Sequence, residues 1–335
     1  MLIYTIRRLV MAIPTLLFIA FVIFMLLELA PGEGMSDIPL TVPPEVKAEM
    51  RRALGLDEPL HIRFGLWLYQ FVVVEPLVLI DHLFGTDYSQ GQARIISWQS
   101  KFPVMDIIVQ RMPQTLWVVG MGYVVGVLIA LPIGIVSAVR QYSVFDQIGT
   151  LISMVGFSVP TFFTGVLLIM IFSVELRWFP AIYNTQLRVN DLDSFLQQVR
   201  QMAMPVFVLA LYNAAQISRY MRASMLDNLQ QDYVRTARAK GMGERTVILR
   251  HVLRNSMIPV VTVIALGVPT IFGGAIITEQ VFGVNGLGQL LIIAINGNDL
   301  PMVQTLTFIF AVLIVLFNLI ADVLYGMLDP RIRYD

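Results

Sequence analysis

The chain has 335 residues, of which 57% are hydrophobic and only 14% are charged. An ordinary soluble domain carries about 25% charged residues, and the mean hydropathy here is +0.73, so the composition argues strongly against a soluble globular protein. Because 23 Lys+Arg balance 23 Asp+Glu, the basic excess of a nucleic-acid-binding protein is absent, and we expect no nucleic-acid partner. The absence of cysteine excludes disulfides, thiolate metal sites and cysteine nucleophiles.

Six apolar stretches are long enough to cross a bilayer, which requires about 20 mainly apolar residues because lipid offers the backbone no hydrogen-bond partner. They are approximately 9–29, 115–139, 148–174, 202–217, 257–278 and 302–325. The first stretch is too long for the core of a secretory signal and no A-x-A site follows it, so we expect an anchor. A seventh stretch, 64–84, has Glu75, Pro76 and Asp81 in its middle and predicts an amphipathic or interfacial segment. The predicted fold class is an all-α polytopic membrane protein with six transmembrane helices.

Basic residues in the connections predict how these spans are oriented, because Lys and Arg in short loops stay cytoplasmic. With a cytoplasmic N-terminus, 13 of the 23 Lys+Arg fall on inner segments, and the outer connection 279–301 has none. We therefore expect both termini to be cytoplasmic. The predicted organisation is an N-terminal transmembrane helix with an external segment (1–110), a five-helix core with a cytoplasmic loop at 219–256 (111–326), and a short cytoplasmic tail (327–335).

The later spans have no charged residue near their centres, whereas an ion-coupled carrier normally needs an ionisable group at membrane depth. The sequence therefore argues against an ion-coupled secondary carrier, which stays open as an alternative interpretation of this membrane protein. A structural or channel-like membrane subunit is another alternative. All three histidines lie in connections, which leaves no haem ligand within a span. No phosphate loop of the form G-x-x-x-x-G-K-[ST] is present, and we identify no catalytic residue and no metal site.

Polar or helix-breaking residues in and next to the spans have two interpretations. Asn213 and Gln216 interrupt the fourth span, Pro269 interrupts the fifth, and Glu279 begins the outer connection. Such residues can serve helix packing, or they can line or gate a passage through kinked helices. The pattern does not decide between the two for any one of them. As candidates for the passage or its gate we take Asn213, Gln216, Pro269 and Glu279.

The loop 219–256 holds eight Lys/Arg and a short helix of its own. Asp232 is a good N-cap and Gly241 a good helix terminator, and about two turns fit between them. After this helix, the apolar side formed by Val247, Ile248, Leu249, Val252 and Leu253 is expected to lie on the ends of the spans.

The short helix again has two interpretations. One is a basic segment attracted to anionic lipid. The other is a docking helix, in which Ala237 and Ala239 allow close approach to a partner and Arg235 and Arg238 meet acidic residues there.

The run D-Y-V-R-T-A-R-A-K-G-M-G-E-R-T-V-I-L-R, starting at Asp232, resembles the cytoplasmic loop of binding-protein-dependent ABC importer permeases of the dipeptide/oligopeptide/nickel group. In that family the general motif begins E-A-A, and a glycine follows four residues after the second alanine. Here Arg235, Thr236 and Ala237 take the E-A-A places and Gly241 takes the glycine. Five further segments resemble the family, and their order is right: L-I-Y-T-I-R-R near the start, L-G-L-D-E-P-L from Leu54, R-M-P-Q-T-L from Arg111, T-E-Q-V-F-G-V-N-G-L-G from Thr278, and D-P-R-I-R near the end.

The resemblance implies a type I importer permease in a bacterial or archaeal cell (inner) membrane. It implies as partners a second homologous permease, two ABC ATPase subunits that hold ATP and Mg, and a periplasmic or extracellular substrate-binding protein. It further implies that the short helix couples the permease to the ATPase. The candidate coupling residues are Tyr233, Arg235, Thr236, Ala237, Arg238, Ala239, Lys240 and Gly241. The solutes carried by the family include dipeptides, longer peptides, nickel complexes, glutathione and oligosaccharides.

Overall fold

The computed structural model describes residues 2–29, 57–272 and 275–328. Residues 30–56 of the predicted external segment and 329–335 of the predicted tail therefore lie outside the described residues. Across the described ranges the chain is helical apart from its connections, and it contains an isolated bridge between Ile96 and Pro103 but no strand. The predicted all-α class is confirmed.

Eleven helices form the described part of the chain, and four of them contain a π-helical stretch (α2, α3, α5 and α8). Their bounds are α1 (Leu2–Glu28), α2 (Leu60–Phe84), α3 (Val104–Val139), α4 (Val144–Ser158), α5 (Thr161–Glu175), α6 (Leu192–Leu229), α7 (Asp232–Ala239), α8 (Glu244–Ile271), α9 (Ile276–Phe282), α10 (Leu287–Asn296) and α11 (Leu300–Leu328).

Five of these helices are long and apolar enough to cross a membrane, namely α1, α2, α3, α8 and α11. Two bent pairs raise the number to at most seven: α4 with α5, bent by 102°, and α9 with α10, bent by 89°. The stretch predicted as a span at 148–174 is therefore not one straight helix but a bent pair. Pro160 explains the break, because a proline keeps the preceding residue out of the helical region, and Val159 is extended at φ −80° and ψ 126°.

Helix α2 differs from the interfacial segment predicted at 64–84, because it is long and apolar enough to be a span. The polar residues that suggested otherwise have partners. Glu75 is 5% exposed, and its carboxylate accepts from Nε (3.2 Å) and Nη2 (2.8 Å) of Arg94. Arg94 also donates to Asp106, and these two carboxylates hold the pKa of Arg94 above its usual range. Asp81 lies in the last turn of α2 and accepts from Thr86 and Ser89 just beyond it.

Two other predicted boundaries move. The span predicted at 257–278 ends early, since α8 stops at Ile271 and Thr278 belongs to α9. The outer connection predicted at 279–301 is largely helical, because it contains most of α9 and all of α10. The stretch predicted as a span at 202–217 lies inside the much longer α6, which is not among the described helices that are long and apolar enough to cross a membrane.

The chain forms two compact units. The first comprises Met1–Met11, Met112–Gln289 and Leu313–Asp335, and the second comprises Ala12–Arg111 and Leu290–Val312. The first unit contains the loop 219–256 and Glu279, so it contains the candidate site. The predicted organisation into 1–110, 111–326 and 327–335 stays a prediction.

Within the first unit, a stripe of small residues on α3 lets it pack closely on α6. A Cβ added to Gly122, Gly126 or Gly134 would lie 2.6, 2.8 or 2.6 Å from the Cβ of Leu209, Asn213 or Met221, respectively. Ala130, fully buried, completes the four-residue spacing. Small residues at this spacing allow two helix backbones to approach in a membrane, so α3 and α6 form the centre of this unit.

Within the second unit, a buried aspartate fixes the loop that precedes α3. Asp299 is 2% exposed and stands immediately before α11. Its carboxylate accepts from the backbone N–H of Trp98 (3.0 Å), the hydroxyl of Ser97 and the N–H of Met302 (3.4 Å). One side chain thus caps α11 and holds the loop against its start.

Candidate functional site

The short helix α7 begins one residue earlier than predicted. Gln231 is the N-cap, with extended backbone and no side-chain hydrogen bond, and Asp232 is the first helical residue. The predicted N-cap role of Asp232 is therefore wrong. Its carboxylate still lies in the first turn, where the helix dipole favours negative charge. The hydroxyl of Thr236 donates to the carbonyl of Asp232 within the same helix (2.9 Å).

Gly241 ends α7 as predicted. Its φ is +77°, a left-handed conformation that favours glycine. Its N–H donates to the carbonyl of Arg238 (2.9 Å), and the N–H of Met242 donates to the carbonyl of Ala237 (3.3 Å). These two bonds form the Schellman motif. A Cβ at Gly241 would meet nothing within 4 Å, so the backbone conformation and not the space requires glycine here.

One face of α7 is buried in the chain's own core. Val234 is fully buried and Ala237 is 6% exposed, and both belong to an apolar cluster that includes Met221 and Met225 of α6. Tyr233 packs at the edge of this cluster, and its hydroxyl donates to Oδ1 of Asn228 (2.7 Å). The structure thus differs from the prediction that Ala237 faces a partner: the small side chain permits close packing inside this chain.

The opposite face of α7 is exposed and basic. The exposed residues of this helix and its C-cap are Asp232, Arg235, Thr236, Arg238, Ala239 and Lys240. Arg238 makes a bidentate pair with Glu244 at 3.0 and 2.6 Å, and this contact raises the pKa of Arg238 above its usual range. Nη1 of Arg235 lies 3.5 Å from Oδ1 of Asp232, and 73% of the Arg235 side chain is exposed. Arg235 and Lys240 therefore present most of the outward positive charge of this helix.

The segment after α7 packs as predicted for four of its five apolar residues. Val247 and Val252 are fully buried in the same cluster as Val234, and Ile248 and Leu253 pack partly against it. Leu249 is the exception and is 50% exposed. The interaction of both segments with one cluster anchors α7 to the first unit.

The four candidate residues for a passage or gate lie on three helices. Asn213 of α6 is half-buried beside α3, and its side-chain amide donates to the carbonyl of Leu209 (2.8 Å). Gln216 is half-buried on α6, Pro269 is buried in the last turn of α8, and Glu279 lies on α9. Asn213 thus serves the packing of two helices.

A tyrosine compensates the backbone where α8 is interrupted near Pro269. The N–H of Val268 donates to the carbonyl of Ala265 (3.2 Å), one residue short of the regular helical partner. The carbonyl left over is that of Ile264, and the hydroxyl of Tyr123 on α3 donates to it (2.5 Å). A carbonyl buried without a donor is costly, so Tyr123 makes this break tolerable.

Glu279 is the most deeply buried acid of the first unit, with no exposed surface. The hydroxyl of Thr115 donates to its Oε1 (2.8 Å), and the backbone N–H of Gln289 donates to its Oε2 (2.9 Å). Thr115 also accepts from the N–H of Leu287 (2.7 Å). One carboxylate therefore joins α3, α9 and the start of α10, and we name these side chains, Glu279 and Thr115, the carboxylate brace.

Two glycines make room for the carboxylate brace. A Cβ at Gly286 would lie 2.3 Å from Oε1 of Glu279 and 2.4 Å from Oγ1 of Thr115. A Cβ at Gly288 would lie 2.9 Å from Oε2 of Glu279. The G-L-G sequence at 286–288 thus allows close approach of the backbone to a buried carboxylate.

Sequence reasoning missed a buried ion pair between α4 and α6. Asp146 is 3% exposed, and its carboxylate accepts from Nε (2.7 Å) and Nη2 (2.8 Å) of Arg222. The cap Ser143, whose Oγ accepts from the N–H of Asp146, was the available signal for the helix start. The pairing itself joins residues 76 positions apart, which no local pattern shows.

These features define a class: a helical protein of many membrane spans, with a basic helix displayed on one loop and a buried brace that holds a broken helix pair. The chain belongs to the family described as the inner membrane component of binding-protein-dependent transport systems, whose model matches residues 130–334. The N-terminal model of the same transport component matches residues 1–119. The predicted family resemblance is confirmed.

Curated relatives match over the full length. The oligopeptide transport system permease protein AppB of Bacillus subtilis (strain 168) is 37% identical, with 99% of each chain covered. The glutathione transport system permease protein GsiC of Salmonella typhimurium is also 37% identical, with 100% of each chain covered. Among solved structures, the inward-facing MetNI methionine ABC transporter matches with a TM-score of 0.53 at 18% identity, covering 67% of this chain and 97% of that chain.

The chain is therefore the permease subunit of an ABC importer and is located in the inner membrane as a multi-pass protein. It is a transport component, and ATP hydrolysis belongs to a separate subunit of such systems. The importer also includes a substrate-binding protein, as the family description states. Nothing in these relationships supports the secondary carrier that the sequence left as the alternative.

Proposed function

We propose that this permease forms the passage for peptides or related small solutes that an external binding protein delivers. The relatives named above carry oligopeptides and glutathione by their names, and they align with this chain from end to end. Both solute classes are short, polar and built on amide bonds, which supports a passage for peptide-like molecules. Which of them this chain carries depends on the binding protein as well as on the passage.

We propose that α7 is the coupling helix, and one observation carries this proposal: α7 is anchored on one face and displays positive charge on the other. Val234 and Ala237 hold it to the core, while Arg235 and Lys240 point outward. A helix fixed in this way can transmit a displacement from a partner to α6 and α8, which line the same apolar cluster. A lipid-bound basic segment needs an exposed apolar face, and on α7 the apolar face is buried in the chain itself.

The proposed assembly comprises this chain, a second homologous permease, two ATPase subunits that bind ATP and Mg, and the binding protein. In this proposal both termini and the loop 219–256 are cytoplasmic, and ATP binding brings the two coupling helices together. The bent pair α9–α10 and its carboxylate brace are then the proposed outer gate, since the brace joins α9 and the start of α10 to α3. Pro269 and Gln216 remain candidates for the lining of the passage.

Purification of the complex from its native membrane in mild detergent tests the coupling helix. The wild-type chain should retain a second permease and the ATPase subunits. The double variant Arg235→Glu with Lys240→Glu should lose the ATPases and keep the second permease, because only the outward charge of α7 has been reversed. Arg188→Glu, an exposed arginine outside this loop, is the matched control and should retain both. Retention of the ATPases by the double variant would contradict the proposed role of α7.

A further inference from the structure

A cation and two aromatic rings form a column on the exposed surface of the first unit. Phe157 lies in the last turn of α4, and Tyr212 and Arg219 lie on α6. The rings of Phe157 and Tyr212 are stacked, with centroids 6.0 Å apart and planes inclined by 16°. The guanidinium carbon of Arg219 lies 4.5 Å from the centroid of the Phe157 ring. This distance is within the range of a cation–π contact, so the guanidinium of Arg219 is held over the ring of Phe157.

The column is part of a polar stripe along one face of α6. Tyr212, Gln216, Arg219 and Tyr220 are spaced four, three and one residues apart, which places them on the same side of a helix. Phe157 is 45% exposed, Tyr212 36% and Tyr220 51%. Arg219 is exposed and Gln216 half-buried. This face of α6 therefore presents hydroxyl, amide and guanidinium groups outward from the chain.

Such a face does not suit contact with lipid. Arg219 follows the stretch 202–217, and its side chain points back along α6, so that the guanidinium lies over Phe157 beside the break between α4 and α5. A charged group beside a span is costly in lipid and faces a water-filled cavity or another protein segment. The neighbouring backbone gives the same indication independently. Pro160, three residues after Phe157, has no N–H to offer the carbonyl of Gly156, and the two helices bend apart there by 102°. Irregular backbone at membrane depth is tolerated where it is buried in protein or lines a water-filled cavity. Both observations place this face on the aqueous passage.

We propose that Arg219, supported by Phe157 and Tyr212, is a binding site in the passage for the carboxylate of a peptide-like solute. This inference rests on the proposed function. Nε of Arg219 donates to the carbonyl of Ala215 (3.2 Å), a contact that fixes the side chain without using its terminal nitrogens. Arginine binds carboxylates through two parallel N–H groups, and the terminal nitrogens of Arg219 are the ones that a solute carboxylate would contact. The stacked rings offer a surface for the apolar part of the same solute.

The next arginine on α6 shows what a structural role looks like in this chain. Arg222 is bound bidentately by the buried carboxylate of Asp146, at 2.7 and 2.8 Å, so its guanidinium is committed to holding α4 on α6. Arg219 makes a stacking contact and a backbone contact instead. The two arginines lie within one helical turn, and their contacts differ. Arg222 holds two helices together, whereas Arg219 is the proposed binding residue.

The test is uptake by the assembled importer, reconstituted in vesicles with its ATPases, second permease and binding protein. The probes are trialanine and trialanine amide, which differ only in the carboxylate, and the readout is the ratio of their uptake rates. Arg219→Gln should lower the ratio of acid to amide about tenfold relative to the wild type, on the scale of one charge-assisted hydrogen bond. Arg219→Lys should restore only part of the ratio, because it keeps the charge and loses the paired N–H groups, and Phe157→Leu should lower the ratio partly. The binding protein is the same throughout, so its own preference cancels.

Arg188→Gln is the control, since it removes an exposed arginine elsewhere and should leave the ratio unchanged. An unchanged ratio in Arg219→Gln would overturn the inference and leave the proposed function intact. Loss of the second permease from the purified Arg219→Gln complex would also overturn it, by assigning this face to the subunit interface. If the wild-type complex takes up neither trialanine nor glutathione, the proposed solute class is wrong and the inference fails with it.

Discussion

Helix α7 and the carboxylate brace place charged and apolar residues in opposite ways. In α7 the apolar side chains Val234 and Ala237 face inward and the charged ones face outward. In the brace a charged side chain, Glu279, faces inward and is satisfied by Thr115 and a backbone N–H. Each region contains a glycine for a different reason: Gly241 supplies a backbone conformation, whereas Gly286 supplies space. The comparison teaches that a glycine-rich motif does not by itself tell which of the two is needed.

The brace should be the region more sensitive to substitution. Gly286→Ala places a methyl group 2.3 Å from Oε1 of Glu279, so Glu279 and Thr115 must separate. We expect the free energy of unfolding to fall by about 3 kcal/mol, from overpacking together with the loss of a buried hydrogen bond. Thermal unfolding of the purified complex in detergent measures this effect. Gly65→Ala is the matched control, because a Cβ there meets nothing within 4 Å. Equal stability of the two variants would show that the brace can relax.

Gly241→Val should have a smaller effect on stability and a large one on coupling. A β-branched residue in the left-handed conformation at φ +77° is strained by about 1–2 kcal/mol. We expect the end of α7 to unwind, so that uptake driven by ATP falls while the chain still inserts and assembles. The measurement is solute uptake alongside ATPase activity in the same vesicles.

Gly243→Val is the control for this substitution. Gly243 has an ordinary extended backbone, at φ −60° and ψ 141°, and open space around it. Its valine variant should transport at close to the wild-type rate. Normal uptake by Gly241→Val would show that transport does not require the left-handed conformation at the end of α7. Equal loss of uptake in both variants would indicate that the loop tolerates no bulk, whatever its backbone conformation.

The pair between Arg238 and Glu244 should contribute least. Its side chains are 44% and 55% exposed, and exposed ion pairs are typically worth below about 1 kcal/mol. A double-mutant cycle with Arg238→Gln and Glu244→Gln, read by thermal unfolding at low and high salt, should give a coupling energy in that range that falls with salt. A coupling energy well above it, insensitive to salt, would mean that this pair fixes α7 as firmly as the buried cluster does.

The sequence was informative where structure depends on neighbours along the chain. The helix at 232–239, its glycine terminator and the apolar run from Val247 follow from local spacing, and the structure has each of them. The sequence was uninformative where a polar group finds its partner far away. Glu279 was placed in a connection because nothing near it marks burial, and Thr115, its donor, is 164 positions away. Glu75 likewise suggested an interfacial segment at 64–84, because its partner Arg94 lies in a later loop.

The interruption at Val159–Pro160 shows that the sequence also predicts backbone geometry only in part. Proline predicts a break and marks its place, but the size of the bend depends on what packs on each half. The structure sets that bend at 102°, so a run of apolar residues that resembles one span consists of two helices.

The small-residue stripe of α3 packs so closely on α6 that we expect the two helices to move together. Helix α6 has 38 residues and is therefore about 57 Å long at about 1.5 Å per residue. Gly122, Gly126 and Gly134 pack directly against α6, so we expect this part of α6 to move together with α3. A tilt of about 5° imposed at the end next to α7 displaces the far end by about 5 Å, roughly the rise of one helical turn. If α7 couples this chain to an ATPase as proposed, the length of α6 amplifies a small tilt next to α7 into a displacement of several ångströms at the far end.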